Sequence, residues 1–379
     1  MNKYKTDIYN ELTSKDWSIS SNHESEDDLV RYDEAPSYET FIRECFLPNR
    51  PALFTAKCGL MNQWSCLTDW LNEDRSKPDF DRLINLYGAM IVPVTKCSPE
   101  NTEYASEENK LTMSFEEFVR LWRNDQTTGQ YYCKDWHLQR QSEQNHASFY
   151  STPVYFQSDW LNEKCLAENE DDFRFVYMGG DGTSTPLHMD VLGTYSWSAN
   201  ICGQKRWRFT KPYSIEFVQE AGDILFVPSQ WYHDVTNIGH TISINHNWFN
   251  AFNIFRIWRH LCATLEDIEY RIDDCRRLMK DTWHEHCQLI LQTNEGLNFG
   301  SLYKLLSIIA QRRIQNYDHD QYKKFDLWII EKLIRTMVQT PTFLYAFDLD
   351  TFPQRPKALS KQIHSCIEKV QQSNGCTDG

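Results

Sequence analysis

The stretch Thr185-Pro186-Leu187-His188-Met189-Asp190 constrains this chain most, because it sits within a run of short segments whose side chains alternate with a period of two. An extended backbone sends every second side chain to one face, so His188 and Asp190 converge while Met189 faces away. Before it, Phe173, Phe175 and Tyr177 alternate with Arg174, Val176 and Met178, and Gly179-Gly180-Asp181-Gly182 makes the turn. After it, Thr194 to Ile201 divides into an apolar face (Tyr195, Trp197, Ala199, Ile201) and a polar one (Thr194, Ser196, Ser198, Asn200). Lys205 to Thr210 reads as the next strand, with Lys205, Trp207 and Phe209 together. A turn at Glu220-Ala221-Gly222-Asp223, a buried strand Ile224 to Val227 ended by Pro228, the motif Trp231-Tyr232-His233 and a closing strand Thr241 to Asn247 complete the set. Residues 172–250 thus predict a small closed double-stranded β-helix, a cupin-like jelly roll with a polar inner wall.

The flanks read differently. Residues 1–36 predict an acidic arm centred on Glu24-Ser25-Glu26-Asp27-Asp28, with Ile8, Leu12 and Trp17 as anchors. Residues 37–171 predict helix-strand elements that extend the barrel: a helix Tyr38 to Phe46, a strand Ala52-Leu53-Phe54, a helix Trp64 to Trp70 and a strand Met90 to Val94. Ser114 and Glu117 then form a capping box before an amphipathic helix that Gly129 stops, and Tyr131 to Trp136 reads as a strand entering the main sheet. From Asn250 the period becomes 3.6, with Phe252, Phe255, Trp258, Cys262 and Leu265 on one stripe and further helices near 298–313, 320–338 and 357–371. The expected fold is therefore a mostly β core with N-terminal α/β elements and a C-terminal helical region over 251–379.

A net charge of −14 argues against the nucleic-acid backbone as a partner and suits a basic protein or peptide, or solubility alone. The twelve cysteines include no Cys-x-x-Cys pair, as expected of reduced thiols in a cytoplasmic protein. The opening MNKYKTDIYNELTSKDW lacks the apolar core of a secretory signal, and no apolar run is long enough to span a membrane.

A second imidazole would turn the His188–Asp190 pair into a two-histidine, one-carboxylate set that holds Fe(II) and leaves positions open for chemistry. His233 is the candidate. Taken alone, His-x-Asp is weak, since a buried histidine is more often a hydrogen-bonded core residue; the strand context supplies the weight. Two open positions suit a 2-oxo acid and the third O2. A distal carboxylate in a site closed to water must be neutralised, and the inward-facing Lys205 is its natural partner. Thr185, Asn245 and Tyr132 could hold the same ligand, although each alone is more often ordinary sheet packing; Ser198 and Asn200 are weaker candidates. His284, His286 and Cys287 look like a metal cluster by composition, but helix positions i and i+2 do not face each other. His246 is expected on the outer face. A serine or cysteine nucleophile has no support: no Gly-x-Ser-x-Gly occurs.

The segment from Phe173 to Asn250 resembles the JmjC domain of 2-oxoglutarate-dependent oxygenases in four motifs: Thr-Pro-Leu-His-Met-Asp, Gly-Gln-Lys-Arg-Trp, Gly-Asp-Ile-Leu-Phe-Val-Pro and Trp-Tyr-His. Upstream, Phe41-Ile42 through Arg50-Pro51-Ala52-Leu53 resembles the lead-in of the hydroxylase branch. The resemblance implies iron ligation by His188, Asp190 and His233, with Lys205 on the 2-oxoglutarate carboxylate and Tyr132, Thr185 and Asn245 in support. It further implies a lysyl hydroxylase acting on a protein, a translation termination (release) factor, with the C-terminal helices serving in homodimerisation. The pattern departs at Ser198, where related hydroxylases often offer Asn. Two rivals stand beside this: an N-methyl-lysine demethylase using the same iron chemistry, and a catalytically inactive JmjC scaffold.

Overall fold

The computed structural model describes residues 10–16, 29–97, 109–143, 148–211, 214–317 and 320–374. Ile8, Trp17 and the acidic run 24–28 lie outside them, whereas Leu12 is buried within a helical turn at 10–14. Two compact units result, one over 22–248 and one formed by 249–379 with the first 21 residues.

The first unit is a cupin-like β-barrel. In chain order its strands are β1 (Val30–Tyr32), β2 (Ala52–Phe54), β3 (Ile91–Lys96), β4 (Lys110–Ser114), β5 (Tyr131–Trp136), β6 (Arg174–Gly179), β7 (Ser184–His188), β8 (Tyr195–Lys211), β9 (Ile215–Gln219), β10 (Ile224–Val227) and β11 (Tyr232–Trp248). Hydrogen bonding runs in the order β1-β2-β10-β8-β11-β6-β5-β3-β4, with β7 also on β11 and β9 also on β8. The long antiparallel pair β8–β11 is the spine. Its apolar outer face is covered by aromatic residues from the N-terminal elements: Phe156 stacks on Trp197 with ring centres 5.7 Å apart, and Phe41 packs against Phe226 at 5.4 Å. Ring pairs at such separations add about 0.5–1.5 kcal/mol each beyond the area they bury.

Several expectations change in detail. Residues 205–210 are not a strand of their own but the continuation of β8 through Gly203, whose φ is +69°. Likewise His233 and the closing segment belong to one strand, β11. The pairing of β8 with β11 shifts register between Ile238 and Ser243, opposite Gly203. This irregularity changes parity: Ser196, Ser198 and Asn200 face inward before it, and Lys205, Trp207 and Phe209 after it. A period-two reading carried straight through would put Lys205 on the wrong side. Strands β1, β4 and β9 are only three to five residues long, which is why they escape a pattern reading.

Ser114 and Glu117 do form the capping box of helix Phe115–Trp122, but its C-cap is Arg123, six residues before Gly129. The helix from Tyr38 is α-helical to Phe41 and continues as a wider π-turn over Ile42–Phe46. In the second unit the helices are Ile254–Arg271, Trp283–Glu295, Phe299–Gln315, Gln321–Met337, Pro341–Ala346 and Pro356–Asn374, with a few short turns between them. Helical spacing around His284 to Cys287 is expected without bounds, and the helix there is Trp283–Glu295; its Trp283, Cys287 and Leu291 are one turn apart and buried, diluted in sequence by polar neighbours. No helix among the described residues is long and apolar enough to cross a membrane.

A Cβ on Gly203 would lie 2.4 Å from the carbonyl oxygen of His240, and the positive φ disfavours any L side chain besides. Gly203→Ala should therefore lower stability by at least about 2 kcal/mol in urea unfolding. A loss under about 0.5 kcal/mol, within the range of ordinary surface substitutions, would show that the bulge is not needed.

Candidate metal centre

Strands β7 and β11 pair antiparallel with His188 directly opposite His233. Directly opposed residues bring their Cβ atoms to about 4.5–5.5 Å, and the two imidazole centres here are 4.4 Å apart. Asp190 does not lie on the strand: β7 ends at His188, and Asp190 caps the short 3-10 turn Val191–Gly193. Its backbone is still extended, φ −57° and ψ 149°, so the side-chain alternation carries over and Asp190 Oδ1 comes within 3.9 Å of His188 Nε2. One donor atom from each of His188, Asp190 and His233 lies within 4.8 Å of the others, the only such grouping among the described residues. His284, His286 and Cys287 do not join one; Cys287 is buried in its helix and His284 stacks on Tyr345.

Each ligand is held by a neighbour. His188 Nδ1 lies 2.9 Å from the Pro186 carbonyl and His233 Nδ1 3.1 Å from the Trp231 carbonyl. A carbonyl can only accept, so each Nδ1 carries the proton and each Nε2 presents its lone pair. Burial, then the neighbouring His188, pushes His233 down to about 4, so it is a neutral ligand at physiological pH. Ser196 Oγ donates to Asp190 Oδ2 at 2.7 Å, occupying one carboxylate oxygen and leaving Oδ1 toward the histidines. Partners of this kind fix ring and carboxylate orientation. Ser196 falls on the expected polar face of β8, but no local signal ties it to Asp190.

Deeper in the barrel, Lys205 is 2 % exposed, and no carboxylate among the described residues pairs with it. Desolvation alone pulls its ammonium down to about 7. Its Nζ lies 5.6 Å from the centre of the Tyr177 ring. Opposite it on β11 is Asn237, whose Nδ2 donates to Thr183 Oγ1 at 2.9 Å while its Oδ1 is buried without a partner. Sequence reading passed over Asn237, although it follows His233 and Val235 at period two. Ser198 Oγ and Asn200 Oδ1 are buried and unpartnered as well. Each such orphan costs about 1–3 kcal/mol. A buried cation and the free Ser198 hydroxyl on one inner wall fit a polar anionic ligand, while the Asn200 and Asn237 oxygens can only accept; the triad's two nitrogens and one oxygen fit Fe(II).

The remaining candidates fall as follows. Tyr132 is buried beside Tyr177, ring centres 5.9 Å apart, and burial raises its phenol. Gly179 permits this approach, since a Cβ there would meet the Tyr132 ring at 2.7 Å. Asn245 lies on the inner face of β11 opposite Ser198, its Nδ2 donating to Ser243 Oγ at 2.9 Å. Thr185 is three residues from His188, an odd spacing that ought to separate them. But it pairs with Val235 while His188 pairs with His233, so β7 spends one extra residue and both side chains share a face. His246 points away from the cavity, as expected, yet is buried there: it meets Tyr150 Oη at 2.6 Å and lies against Trp197.

Comparison with known proteins agrees with this geometry. A family model described as a cupin-like domain matches residues 38–221, and one described as a JmjC domain, hydroxylase, matches 212–248. A protein named 2-oxoglutarate and iron-dependent oxygenase JMJD4 from Danio rerio is 33 % identical over 88 % of this chain and 91 % of its own length. The chain belongs to the JmjC oxygenase family. The protein of the same name from Homo sapiens is 33 % identical over 88 % of this chain and 89 % of its own. A JmjC relative of another name, arginine-specific demethylase JMJ20 from Arabidopsis thaliana, is 34 % identical over 72 % of this chain and 67 % of its own.

Two measurements follow from the site. Ser196→Ala leaves Asp190 free to rotate and should weaken Fe(II) binding by roughly 10- to 100-fold; an unchanged titration would remove Ser196 from the ligand set's support. Lys205 in the ligand-free fold keeps its proton only below about 7, and a bound carboxylate raises that value. Between the two values binding takes up a proton, so 2-oxoglutarate affinity should fall toward tenfold per pH unit above about pH 7. Calorimetry at about pH 8 in buffers of different ionisation enthalpy should find uptake approaching one proton, and no uptake would contradict the pairing.

Proposed function

We propose that this JmjC oxygenase is an Fe(II)- and 2-oxoglutarate-dependent hydroxylase of a protein. The observation that carries the reading is the coincidence, in one barrel, of the His188–Asp190–His233 set with the unpaired, buried Lys205. Relatives named as 2-oxoglutarate and iron-dependent oxygenases support it. Iron with 2-oxoglutarate and O2 supplies an oxidant for C–H bonds, with succinate and CO2 as the other products. This chain's own part is positional. His188, Asp190 and His233 would hold the metal and leave positions open for the co-substrate and O2. Lys205 meets the distal carboxylate, with Tyr132, Thr185, Asn245 and Asn237 around it. The aromatic wall of Trp207 and Phe209, ring centres 5.4 and 5.6 Å from His233, keeps water from that side of the site.

The finer reading, lysyl hydroxylation of a translation release factor in the cytoplasm by a homodimer, rests on the resemblance and is the narrower proposal. Removal of a methyl group from N-methyl-lysine is the second reading and stands behind hydroxylation, since the relatives named as oxygenases match more of the chain than the one named as an arginine demethylase. An inert scaffold is disfavoured, because all three ligands and Lys205 stand in place.

His188→Ala and Asp190→Ala should each abolish succinate formation coupled to substrate, with normal turnover in either variant contradicting the assignment. Mass spectrometry of cell-extract proteins incubated with the enzyme separates the readings: hydroxylation adds one oxygen to a peptide, demethylation removes one methylene unit, and the His188→Ala control shows neither.

A further inference from the structure

We infer that Asp135 selects a cationic side chain on the substrate, and that Tyr177 positions it. This rests on the oxygenase reading above and adds to it a residue for specificity. Asp135 lies at an irregularity of β5, where the pairing with β6 skips between Cys133 and Trp136, and it adopts φ +60°. A non-glycine residue in that region is strained and persists where the surroundings hold it. What holds it here is the Tyr177 hydroxyl, which donates to Asp135 Oδ1 at 2.8 Å. Asp135 itself is exposed, and no cation among the described residues pairs with it.

Tyr177 joins this carboxylate to the metal pocket. Its ring is the one beside Lys205, and its phenol is raised by burial, by Asp135 and also by Asp190, so the same side chain is in electrostatic reach of both carboxylates. The ring has aromatic neighbours: Phe175 on β6 stacks on Tyr177 with centres 6.3 Å apart, and Phe173, just before the strand, meets Phe175 edge-on at 6.4 Å. All three are only half-buried. Partly open aromatic faces attract ammonium and guanidinium groups through their quadrupole, and a carboxylate beside them attracts the same ions directly. Two independent features therefore favour one chemistry, a lysine or arginine side chain. The net charge of −14 steers a basic segment in the same direction.

The experiment compares two synthetic peptide libraries, one with a central lysine and one with norleucine there, offered to wild-type enzyme loaded with Fe(II) and 2-oxoglutarate, with oxygen incorporation read by mass spectrometry. Wild type should oxidise the lysine library at least about tenfold better, the ratio expected for a charged pair in a partly desolvated mouth. In Asp135→Asn that ratio should collapse toward one, and in Asp135→Glu it should largely return. Tyr177→Phe, which keeps the ring and removes the hydroxyl, should lower it too and serves if Asp135→Asn does not fold. An Asp135→Asn ratio equal to wild type overturns this inference alone. Failure of wild type to oxidise either library overturns the oxygenase reading and this inference with it.

Discussion

The pairing of β7 with β11 places His188 across from His233, and the rest of the site depends on that register. A slip of one residue in either strand would turn one imidazole to the opposite face. The backbone ladder therefore does the work of assembling two ligands that are 45 positions apart in sequence (233 − 188). The Pro186 carbonyl of β7 and the carbonyl of Trp231, just before β11, fix both tautomers. Asp190 needs only the next two extended residues, and Ser196 reaches it from the start of β8. The ligand set is thus a property of sheet geometry, with little left to flexible loops.

The inner wall carries a polar deficit that packing alone does not explain. An ammonium buried without a counter-ion and hydrogen-bonding atoms without partners all reduce stability. Native interiors satisfy nearly all such groups, and exceptions gather where a ligand completes them. Lys205, Ser198, Asn200 and Asn237 are such exceptions on one side of the barrel. A dicarboxylate that binds the metal at one end and Lys205 at the other would pair the ammonium and could accept from the Ser198 hydroxyl, so ligand binding stabilises the fold it enters.

The main strands of the barrel and the gathering of His188, Asp190 and His233 were legible because they rest on local signals: period-two alternation, Pro and Gly punctuation, and a His-x-Asp spacing that an extended chain makes meaningful. Lys205 was legible for a partly accidental reason. Treating 205–210 as a separate strand reset the parity count, and the bulge at Gly203 resets it physically. What was not legible depends on register between distant strands. Asn237 acquires its place from lying opposite Lys205, Ser196 from the proximity of Asp190, and Asp135 from Tyr177, and none of these pairings leaves a mark in the local pattern. Thr185 shows the same limit from the other side: only the extra residue in β7 brings it to the face of His188.

The most direct measurement is anomalous scattering at the iron edge from crystals grown without oxygen in the presence of Fe(II) and 2-oxoglutarate. The geometry described here predicts one iron peak about 2.0–2.2 Å from His188 Nε2, Asp190 Oδ1 and His233 Nε2, with the distal carboxylate of the ligand against Lys205 Nζ. An iron peak elsewhere, or a ligand whose carboxylate leaves Lys205 unpaired, would contradict it.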